Sequence, residues 1–230
     1  TMLLASAFLA NQPGGTEVLN STDFVYDYTD PMWVKTFAEI QKWFQNYTTD
    51  NAIGAAYADA ANNFLNKRTA IIANGPWMTA AFSDTSKAPE GFEKKVGASI
   101  YPGGVALGSA TGYYYWIPKK LSDEKTEAAL AFLEFINSPE ELEAYMVAEG
   151  GYAPNIKTSD DFLSKFGPIL GDLKKDVKEN MNEFTQSLGK IWPPQIVNSE
   201  FGRNLPLLAN GSMTPEEFAK QLTEKAQKFK

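Results

Sequence analysis

The side chains that carry most covalent chemistry in enzymes are missing from this 230-residue chain, which has no cysteine and no histidine. Their absence removes thiol nucleophiles, His-based triads, disulfides and zinc sites of the usual Cys/His kind. Carboxylates are plentiful, but Asp123-Glu124, Glu140-Glu141, Asp160-Asp161 and Glu216-Glu217 fall in the first turns of expected helices. Negative charge there meets the positive end of the helix dipole. A glycosidase needs two carboxylates converging across a cleft, and linear spacing does not encode convergence. Gly103-Gly104 and Gly150-Gly151 form neither a P-loop nor a G-x-G-x-x-G signature. Asn20, Asn46 and Asn210 each open an N-x-S/T sequon, a pattern common by chance. What remains is a set of aromatics at expected strand ends, turns or breaks: Trp77, Tyr113, Tyr114, Tyr115, Tyr152 and Trp192. Aromatic faces suit the apolar C–H faces of sugar rings, and the polar tips of tyrosines can hydrogen-bond to hydroxyls. The chemistry these residues favour is recognition of a neutral ligand, not bond making, with no metal or cofactor implied.

Charge narrows the partners. A net charge of −7 and a pI near 4.8 argue against nucleic acid, which needs a basic footprint. They give no support to polybasic contact with an acidic membrane surface. Hydrophobic residues at 43% and charged residues at 21% are ordinary for a globular chain with a real core, organised as one large domain or two small ones. Met2 to Ala10 is apolar, but no basic residue precedes Lys35. It is also shorter than the roughly 20 residues of a membrane span, so it reads as a helix of the folded domain.

The elements that must position the aromatics follow from local chemistry. Asp30-Pro31 opens a helix with Asp30 as N-cap and Pro31 at the first helical position. Val34, Phe37, Ile40, Trp43 and Phe44 recur on it at helical spacing. Ala55 to Leu65 is a further helix. Ala70 to Ala73 is an apolar run read as a fully buried strand, ended by Asn74-Gly75. Pro76 then starts a new helix, which places Trp77 in its first turn, just beyond the carboxyl end of a central strand. Open α/β sheets bind small molecules there. Trp77 is accordingly either a core aromatic or a ligand platform.

Val96 to Tyr101 reads as a second buried strand. Gly104 to Gly112 is either a flexible crossing or a surface loop. Tyr113 to Ile117 is a β-prone run with so many aromatics that at least one should meet a ligand or a partner lobe. Ser122 to Asn137 is a helix with Ala129, Phe132, Leu133 and Ile136 on one stripe. Capping boxes at Ser138-Pro139-Glu140-Glu141 and Thr214-Pro215-Glu216-Glu217 open two more helices. The second of these should turn Phe218, Leu222 and Phe229 inward. Helical stretches are expected around 160–166, 169–184 and 199–209. Ile191 to Gln195 cannot be helical, because each proline constrains the residue before it.

At NKRTAIIANGPW the chain resembles the extracellular solute-binding proteins of ABC transporters, in the carbohydrate branch that includes maltose-binding protein. Phe64, Lys67-Arg68, Ala70 to Ala73 and Asn74 to Trp77 carry the likeness. KVGASIYPGG, GYYYWIPK, FLEFINSPEELEAYMVAEGGYAPN and the closing NGSMTPEEFAKQLTEKAQKF continue it in the family's order, so that it spans about 55–230. The resemblance implies an α/β fold, a periplasmic-binding-protein-like type II lobe with a mixed sheet flanked by helices, in an incomplete two-lobe protein. An amino-terminal lobe would precede Thr1. Residues 1–108 and 156–230 would form the carboxy-terminal lobe, and 109–155 would supply a crossover strand and helices associated with the missing lobe.

By matching positions, Trp77 would be the sugar-stacking tryptophan, with Gly75 beside it. Gly151-Tyr152 would face the cleft, and Asn198, Glu200 and Arg203 would meet hydroxyls, with Tyr113 and Tyr114 adding surface. The family's second cleft aromatic is absent near Asn198, and IWPPQ also departs from the maltose branch, which leaves the sugar open. The implied function is non-enzymatic binding of a carbohydrate, an oligosaccharide for preference, for delivery to an ABC import permease. The implied location is extracytoplasmic, as a periplasmic protein or a cell-surface lipoprotein. Another small solute (peptide, polyamine or opine) and glycan cleavage are the alternatives. The truncated chain could also self-associate.

Overall fold

The computed structural model describes residues 1–49, 51–108, 115–149, 161–162 and 168–230. In chain order these form α1 (Met2–Ala10), α2 (Gly15–Leu19), α3 (Pro31–Tyr47), α4 (Tyr57–Leu65), α5 (Ala80–Ser83), β1 (Val105–Leu107), α6 (Asp123–Ile136), α7 (Pro139–Glu149), α8 (Pro168–Asn180), β2 (Glu183–Thr185), α9 (Phe201–Ala209) and α10 (Pro215–Ala226). Single 3-10 turns occupy Pro76–Met78, Phe92–Lys95, Leu188–Lys190 and Gln227–Phe229, and a π-helical turn, Ile196–Glu200, leads into α9. The chain divides into two compact units. One is Thr1–Ala73, Ser99–Ala110 and Lys175–Lys230; the other is Asn74–Ala98 and Thr111–Lys174.

The first unit is built on helices whose starts are fixed by side-chain caps. Asp30 accepts from the Met32 N–H at 2.9 Å, and Pro31 fills the first position of α3, where an N–H would have no partner anyway. One face of α3 then buries Trp33, Thr36, Phe37 and Ile40, a helical repeat. At α10 the Glu217 N–H donates to Thr214 Oγ1 at 3.1 Å, and the Thr214 N–H donates to Glu217 Oε2 at 2.9 Å. This is the reciprocal capping box its sequence announced. The helix buries Phe218, Ala219, Leu222 and Ala226, with Phe218 set edge-on to Phe37 at 4.9 Å. Helix α1 is apolar all round, and Ala5, Ala7 and Leu9 are fully buried. Its Ser6 hydroxyl donates to the Met2 carbonyl and accepts from the Leu188 N–H at 2.9 Å, so both roles of a buried hydroxyl are filled.

Beside α1 runs the sheet, which among the described residues is one parallel pair with Val105 opposite Glu183 and Leu107 opposite Thr185. This helix-rich α/β architecture agrees with the fold class expected from the sequence. The strands themselves lie elsewhere. Ala70 to Ala73 forms no strand, and Ile71 is 76% exposed. An apolar run becomes a buried strand only where a neighbour completes its ladder, and no described strand pairs with it. Between Val96 and Tyr101 the one ladder contact is the antiparallel bridge from Tyr101 to Val105. Strand β1 falls instead within the glycine-rich 104–112 stretch, and β2 within what was expected to be the tail of a helix.

The second unit has less apolar burial. Phe82 meets Phe92 edge-on at 5.8 Å, and Met146, Phe162 and Leu170 pack together. Ser122 caps α6 through the Lys125 N–H. No residue of α6 is buried, and Leu130, Phe132 and Phe135 face outward. Tyr115 and Trp116, the described part of the aromatic run, form no strand and are exposed. The expected helix around 160–166 lies largely outside the described residues.

Candidate functional site

Two of the expected site residues come together in the turn after Ala73. Asn74 accepts from the Gly75 N–H through its Oδ1 at 2.9 Å and directs its Nδ2 to the sulfur of the buried Met78 at 2.7 Å. Pro76 opens the 3-10 turn. The Met78 N–H donates to the Gly75 carbonyl at 3.3 Å, the Thr79 N–H to Pro76 O at 3.0 Å, and the Thr79 hydroxyl to the same oxygen at 2.8 Å. This hydrogen-bonded turn presents Trp77, whose side chain is 52% exposed. The indole folds back over Gly75, where an added Cβ would overlap Cζ3 and Cη2. Helix α7 packs beside the turn. Trp77 is therefore no core aromatic: one ring face lies on its own backbone and the residue is open to solvent.

Asn198, Glu200 and Arg203 belong to the other unit, on the π-turn and the start of α9. Asn198 and Arg203 are exposed. Glu200 is turned inward, its side chain only 12% exposed. Its Oε1 receives Arg203 Nη1 at 3.4 Å, its Oε2 lies 3.9 Å from Lys225 Nζ, and its main-chain carbonyl accepts from Asn204 Nδ2. Arg203 Nη2 also reaches Ser199 Oγ at 3.5 Å. Glu200 thus lies within ion-pair distance of two cations. Tyr113, Tyr114, Gly151 and Tyr152 lie outside the described residues.

Trp192 corrects the expectation drawn from the aromatic distribution. It is 1% exposed and its ring packs between Tyr28, Trp33 and Phe201 at 5.2–5.8 Å. Its buried Nε1 has no hydrogen-bond partner. It is a core residue, and Trp33, which no spacing argument singled out, is its neighbour. Trp116, which is not among the expected site residues, is the most exposed large apolar side chain among the described residues, at 87%. The only sequence signal for it is the density of aromatics around it. An open groove lined by Phe24, Tyr26, Asp27 and Lys230 also marks the first unit. The Asp27 carboxylate there already accepts from Thr29 and Thr223, and these bonds hold its pKa below the usual carboxylate range.

Among the described residues no group of three or more acidic side chains could hold a metal ion. No described helix is long and apolar enough to cross a membrane. What the turn can do chemically is stack and hydrogen-bond.

Residues 2–180 match the family of bacterial extracellular solute-binding proteins. None of the curated proteins compared with the chain matches it significantly. Among solved structures, one named as a chitin oligosaccharide binding protein superposes with a TM-score of 0.79 at 17% identity. That match covers 99% of this chain and 56% of the solved one, so the chain spans little more than half the length of its structural neighbour.

Proposed function

The chain belongs to the bacterial extracellular solute-binding proteins, and from that premise we propose that its solute is a neutral oligosaccharide, one ring of which stacks on Trp77. The observation that carries this reading is the Trp77 platform itself, an indole backed by Gly75 on a hydrogen-bonded turn and half open to solvent. Stacking of an aromatic face against a C–H-rich sugar face needs that geometry. The absence of cysteine and histidine from the sequence removes thiol- and imidazole-based catalysis; carboxylate-based glycan cleavage is what the hydrolysis arm of the test below decides.

In this reading Tyr113, Tyr114, Gly151 and Tyr152 add ligand surface, and Asn198 and Arg203 meet hydroxyls. Glu200 acts through Arg203. Residues 1–108 and 156–230 serve as one lobe and 109–155 contributes to the other. Delivery is to the membrane permease of an ABC importer, outside the cytoplasm. Because the structural neighbour is named as a chitin oligosaccharide binding protein, N-acetylated oligosaccharides are the first sugars to try.

The test is a thermal-shift screen with chitooligosaccharides, maltooligosaccharides, cellooligosaccharides and, as competitors, peptides, polyamines and opines. A ligand that binds only the folded chain raises its melting temperature by mass action, by about 2.7 kcal/mol of stabilisation at a hundredfold excess over Kd. A rise with one sugar class supports the reading. A rise with a non-sugar solute and with no sugar overturns it, as does hydrolysis of the sugar on incubation.

A further inference from the structure

Gly75 stands two residues before Trp77, and its missing side chain is what the indole occupies. A Cβ built on Gly75 would overlap Cζ3 and Cη2 of the Trp77 ring and lie 2.6 Å from Cε3. Non-bonded carbons settle at about 3.5–4.0 Å, so the ring as placed leaves no room for a methyl group. We infer that Gly75 is the positioning residue of the Trp77 platform, the seat that pins one face of the indole to the backbone and leaves the other to a sugar ring. The inference rests on Trp77 being the ligand platform.

The glycine is not required for backbone reasons. Gly75 has φ −137° and ψ 179°, an extended conformation open to any L-residue. Nor is it required by the turn. Pro76 fixes its own φ, and three hydrogen bonds from Met78 and Thr79 return to the Gly75 and Pro76 carbonyls. With the main chain held in this way, an added methyl at position 75 can be accommodated only by rotating the Trp77 side chain about χ1 and χ2. Rotation re-aims the ring and removes the flat face from its place. The fold, which leaves 52% of this residue in solvent, should register the change only weakly.

Gly75→Ala tests this in the full chain labelled with 5-fluorotryptophan. The chain has five tryptophans, and the fluorine resonance lost in Trp77→Phe identifies the one that matters. In Gly75→Ala that resonance should shift while the others and the melting temperature stay as in wild type. Affinity for the best oligosaccharide of a chitotriose and maltotriose pair should fall about tenfold. In a Trp77→Phe background the same alanine should cost no further affinity, because phenylalanine lacks the outer ring that the methyl would meet. An unmoved Trp77 resonance overturns the inference, as does a moved resonance with unchanged affinity or an equal loss in the Trp77→Phe background. Should the screen above find a non-sugar solute and no sugar, it is the oligosaccharide reading that fails, and the seat of the indole is then decided by the resonance alone.

Discussion

A tryptophan that is 52% exposed gives its fold little, so truncating Trp77 separates binding from stability. Trp77→Ala should weaken oligosaccharide binding by about 2 kcal/mol or more, roughly thirtyfold, on the scale of aromatic hot spots. Its melting temperature should stay near that of wild type, and calorimetric titration beside a thermal melt reads both. Large destabilisation with intact binding would assign Trp77 to the core after all. Trp192 shows the opposite condition, with its ring enclosed by Tyr28, Trp33 and Phe201. Both residues lie beside prolines in the sequence, and nothing in their spacing tells them apart, since burial is decided by residues far away in the chain. A second residue-scale prediction concerns Asp176. Its carboxylate accepts from Asn180 Nδ2 at 2.6 Å, Ser99 Oγ at 2.7 Å and the Ile100 N–H at 2.8 Å, and these bonds hold its pKa below the usual carboxylate range. A folded-state pKa below the unfolded one means that the charged form stabilises the fold. The contribution is present above the unfolded value and lost as pH falls through the folded one. Asp176→Asn should therefore lower the melting temperature at pH 7, and the gap from wild type should close as the pH drops below 3.8. A gap that is constant with pH would show that the charge is immaterial.

At the scale of elements, what depends on neighbours in sequence was legible and what depends on distant partners was not. The caps at Asp30 and Thr214 were readable because the capping bond joins residues two or three apart. The start at Pro76 was legible too, although the helix expected there is a single 3-10 turn, Pro76–Met78. The strands were misplaced because a ladder is made by a partner the sequence does not name. Val105 pairs with Glu183 across 78 positions, while Ala70 to Ala73, more apolar, finds no partner among the described strands. The end of α10 is a similar case. Helical spacing turned both Phe218 and Phe229 inward, yet the chain leaves α10 for a 3-10 turn at Gln227–Phe229. That turn breaks the periodicity and leaves Phe229 exposed while Phe218 is buried. Phe218→Ala should cost about 3–5 kcal/mol, the range for truncating a buried phenylalanine. Phe229→Ala should fall within about 0.5 kcal/mol of wild type, as exposed substitutions do. Urea unfolding with a common m-value measures both, and equal costs would contradict the placement of the terminal turn.

For the whole molecule, the division into two units carries a difference in how helices are held. In the first unit α3 and α10 are locked by one continuous core that includes Trp33, Phe37, Ile40, Phe218 and Leu222. In the second, α6 is capped by Ser122, yet none of its residues is fully buried: Ala129, Leu133 and Ile136 are half-buried, while Leu130, Phe132 and Phe135 are exposed. A helix of this length with little tertiary packing is marginal in water, because nucleation is costly and each added residue gains little. Opening α6 newly exposes only the covered parts of Ala129, Leu133 and Ile136, whereas opening α3 empties the core. Native-state hydrogen exchange should therefore resolve the two. Amides in the middle of α6 should exchange through local opening with low protection, at a rate insensitive to mild denaturant. Those of Phe37 and Ile40 in α3 should exchange only through global unfolding, with protection that falls as denaturant is added. Phe218→Ala sharpens the contrast, since it should lower protection throughout α3 and leave α6 untouched. Equal protection of α6 and α3 in the isolated chain would mean that the exposed Leu130, Phe132 and Phe135 are covered in solution, and sedimentation at several concentrations would then show whether a second copy covers them.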